Sequence, residues 1–188
     1  LERIIKLWAD DAEVRRLIEF RPEEEEYFRI PSGLTRNIVV ARHDTFMDKD
    51  DLSYIEFNTD SPASMGYVAQ QHGIFDKLPM MKELQKEYVY DHERPAEILL
   101  EALLAAFKDF GLNEKPRLII TDWDGVNTYT EFLILQELFE KRGLPTRVTD
   151  PRNIESRTGT AYADGFETNL IYRRAPWREG LAQLAECP

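Results

Sequence analysis

Arg117-Leu118-Ile119-Ile120-Thr121, followed by Asp122-Trp123-Asp124-Gly125, then Tyr129 to Arg142, Gly143 and Pro145 to Val148, is the stretch that decides the fold. The first run is a short, apolar, β-branched segment of the kind buried on both faces of a sheet. The second has the length of a helix and stops at a glycine. Two short strands joined by a helix form a βαβ unit, which requires a parallel sheet.

Working outward, Arg94 to Gly111 reads as an amphipathic helix, with Pro95 near its start and Ile98, Leu99, Leu103, Phe107 and Phe110 on its apolar positions. Ala161–Tyr162 and Thr168–Tyr172 read as short strands across an Asp164-Gly165 turn. Leu1 to Phe20 has helical spacing of Ile4, Ile5, Leu7, Trp8, Val14, Leu17 and Ile18, predicting one or two surface helices. The run Glu23 to Glu26 reads as a solvated helix start rather than a metal site, because adjacent carboxylates on a helix do not converge.

Between these parts the periodicity changes. Ile38-Val39-Val40-Ala41 and Leu52-Ser53-Tyr54-Ile55-Glu56-Phe57 bracket Met47-Asp48-Lys49-Asp50-Asp51, predicting a β-hairpin. With a five-residue loop Phe46 pairs with Leu52, Asp44 faces Tyr54, Arg42 faces Glu56 and Val40 faces Asn58. All four polar groups then share one face. Beyond the hairpin, Ser61 suits an N-cap and Pro62 the first helical position. The expected architecture is α/β, with a helical segment and hairpin over residues 1–92 and a Rossmann-like parallel-sheet lobe over 93–188.

The chain of 188 residues carries 35 acidic and 24 basic side chains, a formal net charge of -11. That charge opposes a phosphate backbone and argues against nucleic acid as the main partner. No stretch approaches the ~20 apolar residues of a membrane span. The single cysteine, Cys187, offers no intrachain disulfide and no activated nucleophile, so the cytoplasm is the expected compartment. Because the sequence starts at Leu1 and stops at Pro188, it is expected to be a piece of something longer.

Asp44, Glu56 and Asn58 make a hard, all-oxygen ligand set of the type that holds Mg2+ while leaving sites for water and phosphate oxygens. Arg42 beside them keeps its charge and can hold a phosphate or a developing oxyanion. The alternative is a hairpin whose polar face is simply solvated and cross-paired.

Arg42-x-Asp44 followed by Tyr54-Ile55-Glu56-Phe57-Asn58-Thr59-Asp60-Ser61-Pro62-Ala63-Ser64 resembles the glutathionylspermidine synthetase group, the circularly permuted ATP-grasp proteins, and their glutathione synthetase relatives. Leu118–Thr121, Asn127–Phe132, Gly143–Thr146 and Asn169–Arg174 resemble the same family, so the likeness spans roughly residues 30 to 175. It implies that Asp44, Glu56 and Asn58 ligate Mg2+ bound to ATP and that Arg42 steadies a phosphorylated intermediate. It further implies that Ser61, Ser64 and, less closely matched, Arg173 contact the substrate.

The implied activity is ATP-dependent ligation of a carboxylate or peptide-like acid to an amine through an acyl phosphate. The family's nucleotide-clamping lobes are not found before Pro188, so the chain alone is expected to be inactive. A competing reading takes Asp122-Trp123-Asp124-Gly125 after a strand as the nucleophile motif of a Mg2+-dependent phosphatase. A third is a non-catalytic binding lobe. His43, which alternates to the face opposite Arg42 and Asp44, and the rings of Trp123, Tyr129 and Phe132 are expected to be structural.

Overall fold

The computed structural model describes residues 1–178, and Cys187 lies outside the described residues. Among the described residues it is a mixed α/β fold with three small sheets. β3 (Leu118–Thr121), α7 (Tyr129–Lys141) and β4 (Thr146–Thr149) form the expected βαβ unit, and β8 (Leu170–Arg173) joins β3 on its other side. Both pairings are parallel, in the order β4-β3-β8. All four residues of β3 are buried, as the centre of a parallel sheet requires.

The core lies where α6 (Pro95–Asp109) and α7 meet this sheet. Leu99, Leu100 and Leu103 of α6 and Phe132, Leu135 and Phe139 of α7 pack with Leu118, Ile120 and Tyr172. α6 starts with Pro95 and is followed by Gly111 at φ 87°, a conformation glycine adopts without Cβ strain. Gly143, φ 82°, follows α7 in the same way. α4 (Met65–Phe75) lies across α6 and α7. α5 (Pro79–Glu87) follows it, a helix the sequence pattern does not announce.

The strand expected over Thr168–Tyr172 is divided between two sheets. β7 (Phe166–Thr168) pairs with β6 (Thr160–Ala163) across Asp164-Gly165, where φ is 51° and 79°, while Leu170–Arg173 belongs to the parallel sheet. β5 (Ile154–Arg157), unforeseen because Ile-Glu-Ser-Arg has little apolar character, completes an antiparallel sheet in the order β5-β6-β7.

The N-terminal stretch forms α1 (Glu2–Asp10) and α2 (Ala12–Leu17), the latter capped by Asp11, whose carboxylate accepts from Glu13 N at 2.8 Å. α3 (Pro22–Phe28) contains the acidic run, and here the expectation of a solvated helix start fails at Glu24. Its side chain is buried, accepts the Arg21 amide at 2.8 Å and pairs with Arg178 at 2.9 Å. A partner 154 residues away in sequence overrode the local pattern. Among the described residues no helix is long and apolar enough to cross a membrane.

Candidate metal and substrate site

β1 (Arg42–Asp48) and β2 (Asp51–Asn58) form the hairpin, in a register other than the expected one. The expected strand over Ile38–Ala41 starts instead at Arg42, and the loop is only Lys49-Asp50, with Lys49 at φ 53°. Asp48 pairs with Asp51 and Thr45 with Tyr54. Continued unbroken, that register would set Asp44 opposite Ile55 and turn Glu56 and Asn58 to the other face, because a one-residue slip reverses every side chain.

A β-bulge between Asp44 and Thr45 prevents this. Ile55 is the extra residue, so Asp44 pairs with Glu56 and Arg42 with Asn58. The four polar residues therefore share a face, as expected, but are paired more directly than expected. His43 packs on the opposite face, 4.6 Å from the Phe57 ring and 5.7 Å from that of Tyr54.

On the polar face Arg42 grips Asp44 with two bonds, Nε to Oδ1 at 2.9 Å and Nη2 to Oδ2 at 3.3 Å. Asn58 Nδ2 donates to Glu56 Oε1 at 2.9 Å. The Arg42 guanidinium holds the Asp44 carboxyl below the usual range, and Asp44 in turn raises Arg42 further. Asp44 is thus ionised at neutral pH, the state a hard cation requires.

Among the described residues no group of three or more His, Cys, Asp and Glu side chains is placed to hold a metal ion. The hairpin face supplies two carboxylates and one amide oxygen. That donor set fits Mg2+, which keeps several waters and takes the rest of its shell from phosphate oxygens.

From Asn58 the chain enters a loop docked on the carboxyl edge of the parallel sheet, where small ligands bind in open α/β folds. Ser61 is not the expected N-cap. It has φ 55°, and its hydroxyl donates to Arg173 O at 3.1 Å. The helix begins at Met65 with Ser64 as N-cap, at φ 94° and without a side-chain capping bond. Arg173 Nη2 donates to Asp60 at 2.7 Å and Nη1 to Ala175 O. Burial pushes Asp60 upward, but the Trp177 amide and Arg173 outweigh it and keep its carboxyl below the ordinary range.

The residues holding this loop are ones the sequence reading missed. Arg174, buried, sends Nη1 to Ser61 O at 2.7 Å and to Pro62 O. Glu131, also buried, accepts Gly66 N at 3.1 Å and lies 3.9 Å from Arg174 Nη2. The Arg174 guanidinium stands 5.5 Å from the Phe132 ring and 5.7 Å from that of Tyr172. Two left-handed serines cost on the order of 1–3 kcal/mol each and persist only where surroundings over-determine them. Arg174 and Glu131 are those surroundings. Their sequence signals were slight: a doubled arginine at a strand end and a glutamate in the first turn of an apolar helix.

Asp122 follows β3 at the same edge, and its Oδ1 accepts the Trp123 amide at 2.8 Å. Asp124 offers its amide to Asp150 Oδ2 at 2.9 Å, while its side chain is exposed. Trp123 and Phe132 are buried, as expected; Tyr129 is exposed.

No protein-family model matches the chain, and no curated protein matches it.

Proposed function

We propose that this chain carries the magnesium- and substrate-holding part of an ATP-dependent carboxylate–amine ligase, similar to the circularly permuted ATP-grasp proteins of the glutathionylspermidine synthetase group. The observation that carries the reading is the bulged hairpin. A bulge that restores the shared face of Arg42, Asp44, Glu56 and Asn58 is hard to account for by solvation alone.

In this reading Asp44, Glu56 and Asn58 hold Mg2+, which when bound supplies charge neutralisation at the ATP phosphates. Arg42, with one edge on Asp44, presents its remaining donors to the oxyanion of the phosphorylated carboxylate. Thr59 to Ser64 leads from the metal face to the sheet edge, so Ser61, Ser64 and Arg173 stand on the side of the acid. An amine would then attack the carbonyl carbon of the acyl phosphate, the bond from that carbon to the phosphate oxygen would break, and inorganic phosphate would leave as the nitrogen loses a proton and the amide forms. In the full-length protein, Glu56→Gln or Asn58→Ala should abolish Mg2+-dependent ADP release; unchanged turnover would sink the proposal.

Asp122 at the carboxyl end of β3 keeps the phosphatase reading open to a direct test. Mg2+-dependent hydrolysis of a generic phosphate ester, lost in Asp122→Asn, would favour it over the ligase.

A further inference from the structure

On the face of the hairpin opposite the polar quartet, His43 and Phe57 border a cleft of about 630 Å³, closed on its other sides by α1 and the segment 35–38. The volume lies within the ~300–1,000 Å³ range of small-molecule sites. Apart from His43, the charged side chains lining it are Arg3, Lys6 and Arg36 against a single carboxylate, Glu2. That is a local excess of cations in a chain whose formal net charge is -11.

The carboxylate is already committed. Glu2 Oε1 accepts the Asn37 amide at 2.7 Å and the Ile38 amide at 2.9 Å, and Oε2 accepts Asn37 Nδ2 at 3.2 Å. These bonds, the Ile38 amide foremost, hold the Glu2 carboxyl below its ordinary range, and the charge of Lys6 nearby adds to the effect. Asp109, which shares a neighbouring hollow with Arg36, has its Oδ2 on the Thr35 amide and hydroxyl.

The cations, by contrast, are uncommitted. Among the described residues the side chains of Arg3, Lys6 and Arg36 have no hydrogen-bond or ion-pair partner, whereas Arg117, Arg142 and Arg147 each pair with a glutamate. A phosphate monoester matches what is missing. It carries about −1.5 to −2 charge at neutral pH on one compact group with three acceptor oxygens, which guanidinium forks meet with paired donors. A monocarboxylate brings less charge, and a dicarboxylate divides it between two ends. Long polyanions are opposed by the acidic remainder of the chain.

We propose that this cleft holds the phosphate group of a small phosphorylated molecule on Arg3, Lys6 and Arg36. The site lies behind the strands whose front carries Arg42, Asp44, Glu56 and Asn58. It does not rest on the ligase reading, and either can fail without the other.

The test is calorimetric titration of the 188-residue chain with phenyl phosphate, and with benzoate and succinate for comparison. Phenyl phosphate should bind with a Kd below about 1 mM, and the two carboxylates at least about tenfold more weakly. Arg3→Gln, Lys6→Gln and Arg36→Gln should each lower phenyl phosphate affinity about tenfold. Lys108→Gln, in the last turn of α6 and outside the cleft, should change it less than about twofold. Thermal melts confirm that all four variants are folded. Vesicles containing phosphatidylserine should not retain the chain.

No binding of phenyl phosphate at millimolar concentration, or equal affinity for benzoate or succinate, would overturn the proposal. So would affinity unchanged in the three cleft variants, an equal loss in Lys108→Gln, or binding to the vesicles in place of phenyl phosphate.

Discussion

Asp150 gives the most quantitative prediction. It follows β4 at the carboxyl edge of the sheet and is almost wholly buried. It accepts the Arg152 amide at 2.9 Å, Arg152 Nε at 2.8 Å and Nη2 at 2.7 Å, and the Asp124 amide at 2.9 Å. Arg152 is the main cause, outweighing burial, and lowers the carboxyl from 3.8 to about 2. A shift of that size is worth about 2 kcal/mol of folding stability at neutral pH. In Asp150→Asn the charge is lost and buried donors are left short of an acceptor, adding about 1 kcal/mol. With an m-value of about 2–3 kcal/mol/M, the urea midpoint should fall by about 1 M.

The pH dependence has a definite sign. Because the folded pKa is depressed, the unfolded chain binds more protons between about 2 and 4. The contribution is complete above the unfolded value and fades as pH falls through that window. Wild-type stability measured by urea titration from pH 6 to 3 should therefore drop more steeply than that of Asp150→Asn, and the gap between the two curves should narrow by about 1 kcal/mol. Parallel curves, or equal midpoints at pH 7, would refute the account of Asp150.

Arg174→Met should cost about 3–5 kcal/mol, since it strands a buried Glu131, whereas Arg174→Met with Glu131→Leu should cost less than the single change; thermal unfolding of the three variants decides. Gly66→Ala would place a Cβ 3.0 Å from Glu131 Cγ and 3.2 Å from Glu131 O, so despite alanine's helix propensity it should destabilise by about 1–2 kcal/mol, and a raised melting temperature would contradict this packing. Phe139→Ala, at a fully buried core position, should cost about 3–5 kcal/mol and lower the melting temperature by about 8–15 °C in calorimetry. Asp44→Asn should weaken Mn2+ binding, used as a paramagnetic stand-in for Mg2+, at least about tenfold; unchanged Mn2+ relaxation enhancement would remove the hairpin as a metal site.

The parallel sheet and α6 were legible because their signals are local: a continuous apolar run, a proline at a helix start, a glycine after its end. The hairpin was legible as a hairpin but not in register, since Lys49 takes a left-handed conformation usually reserved for glycine or asparagine and nothing in Tyr54-Ile55-Glu56 marks a bulge. Ser61-Pro62 looked like a helix start, but Arg174 occupies the carbonyls of both residues and holds them out of the helix. Glu24, Glu131 and Arg174 illustrate one blind spot. Charged residues read as surface by default, and their burial is made tolerable only by partners brought in by tertiary structure.

The extra residue in β2 also sets how the hairpin tolerates changes in length. Removing Ile55 would leave Asp44 opposite Glu56 and Thr45 opposite Tyr54, a regular ladder with the polar quartet still together. A single residue removed between Glu56 and Asn58 would instead separate the amide from the carboxylates by half a pleat. The hairpin thus has one spare position, and odd-numbered edits are silent only there.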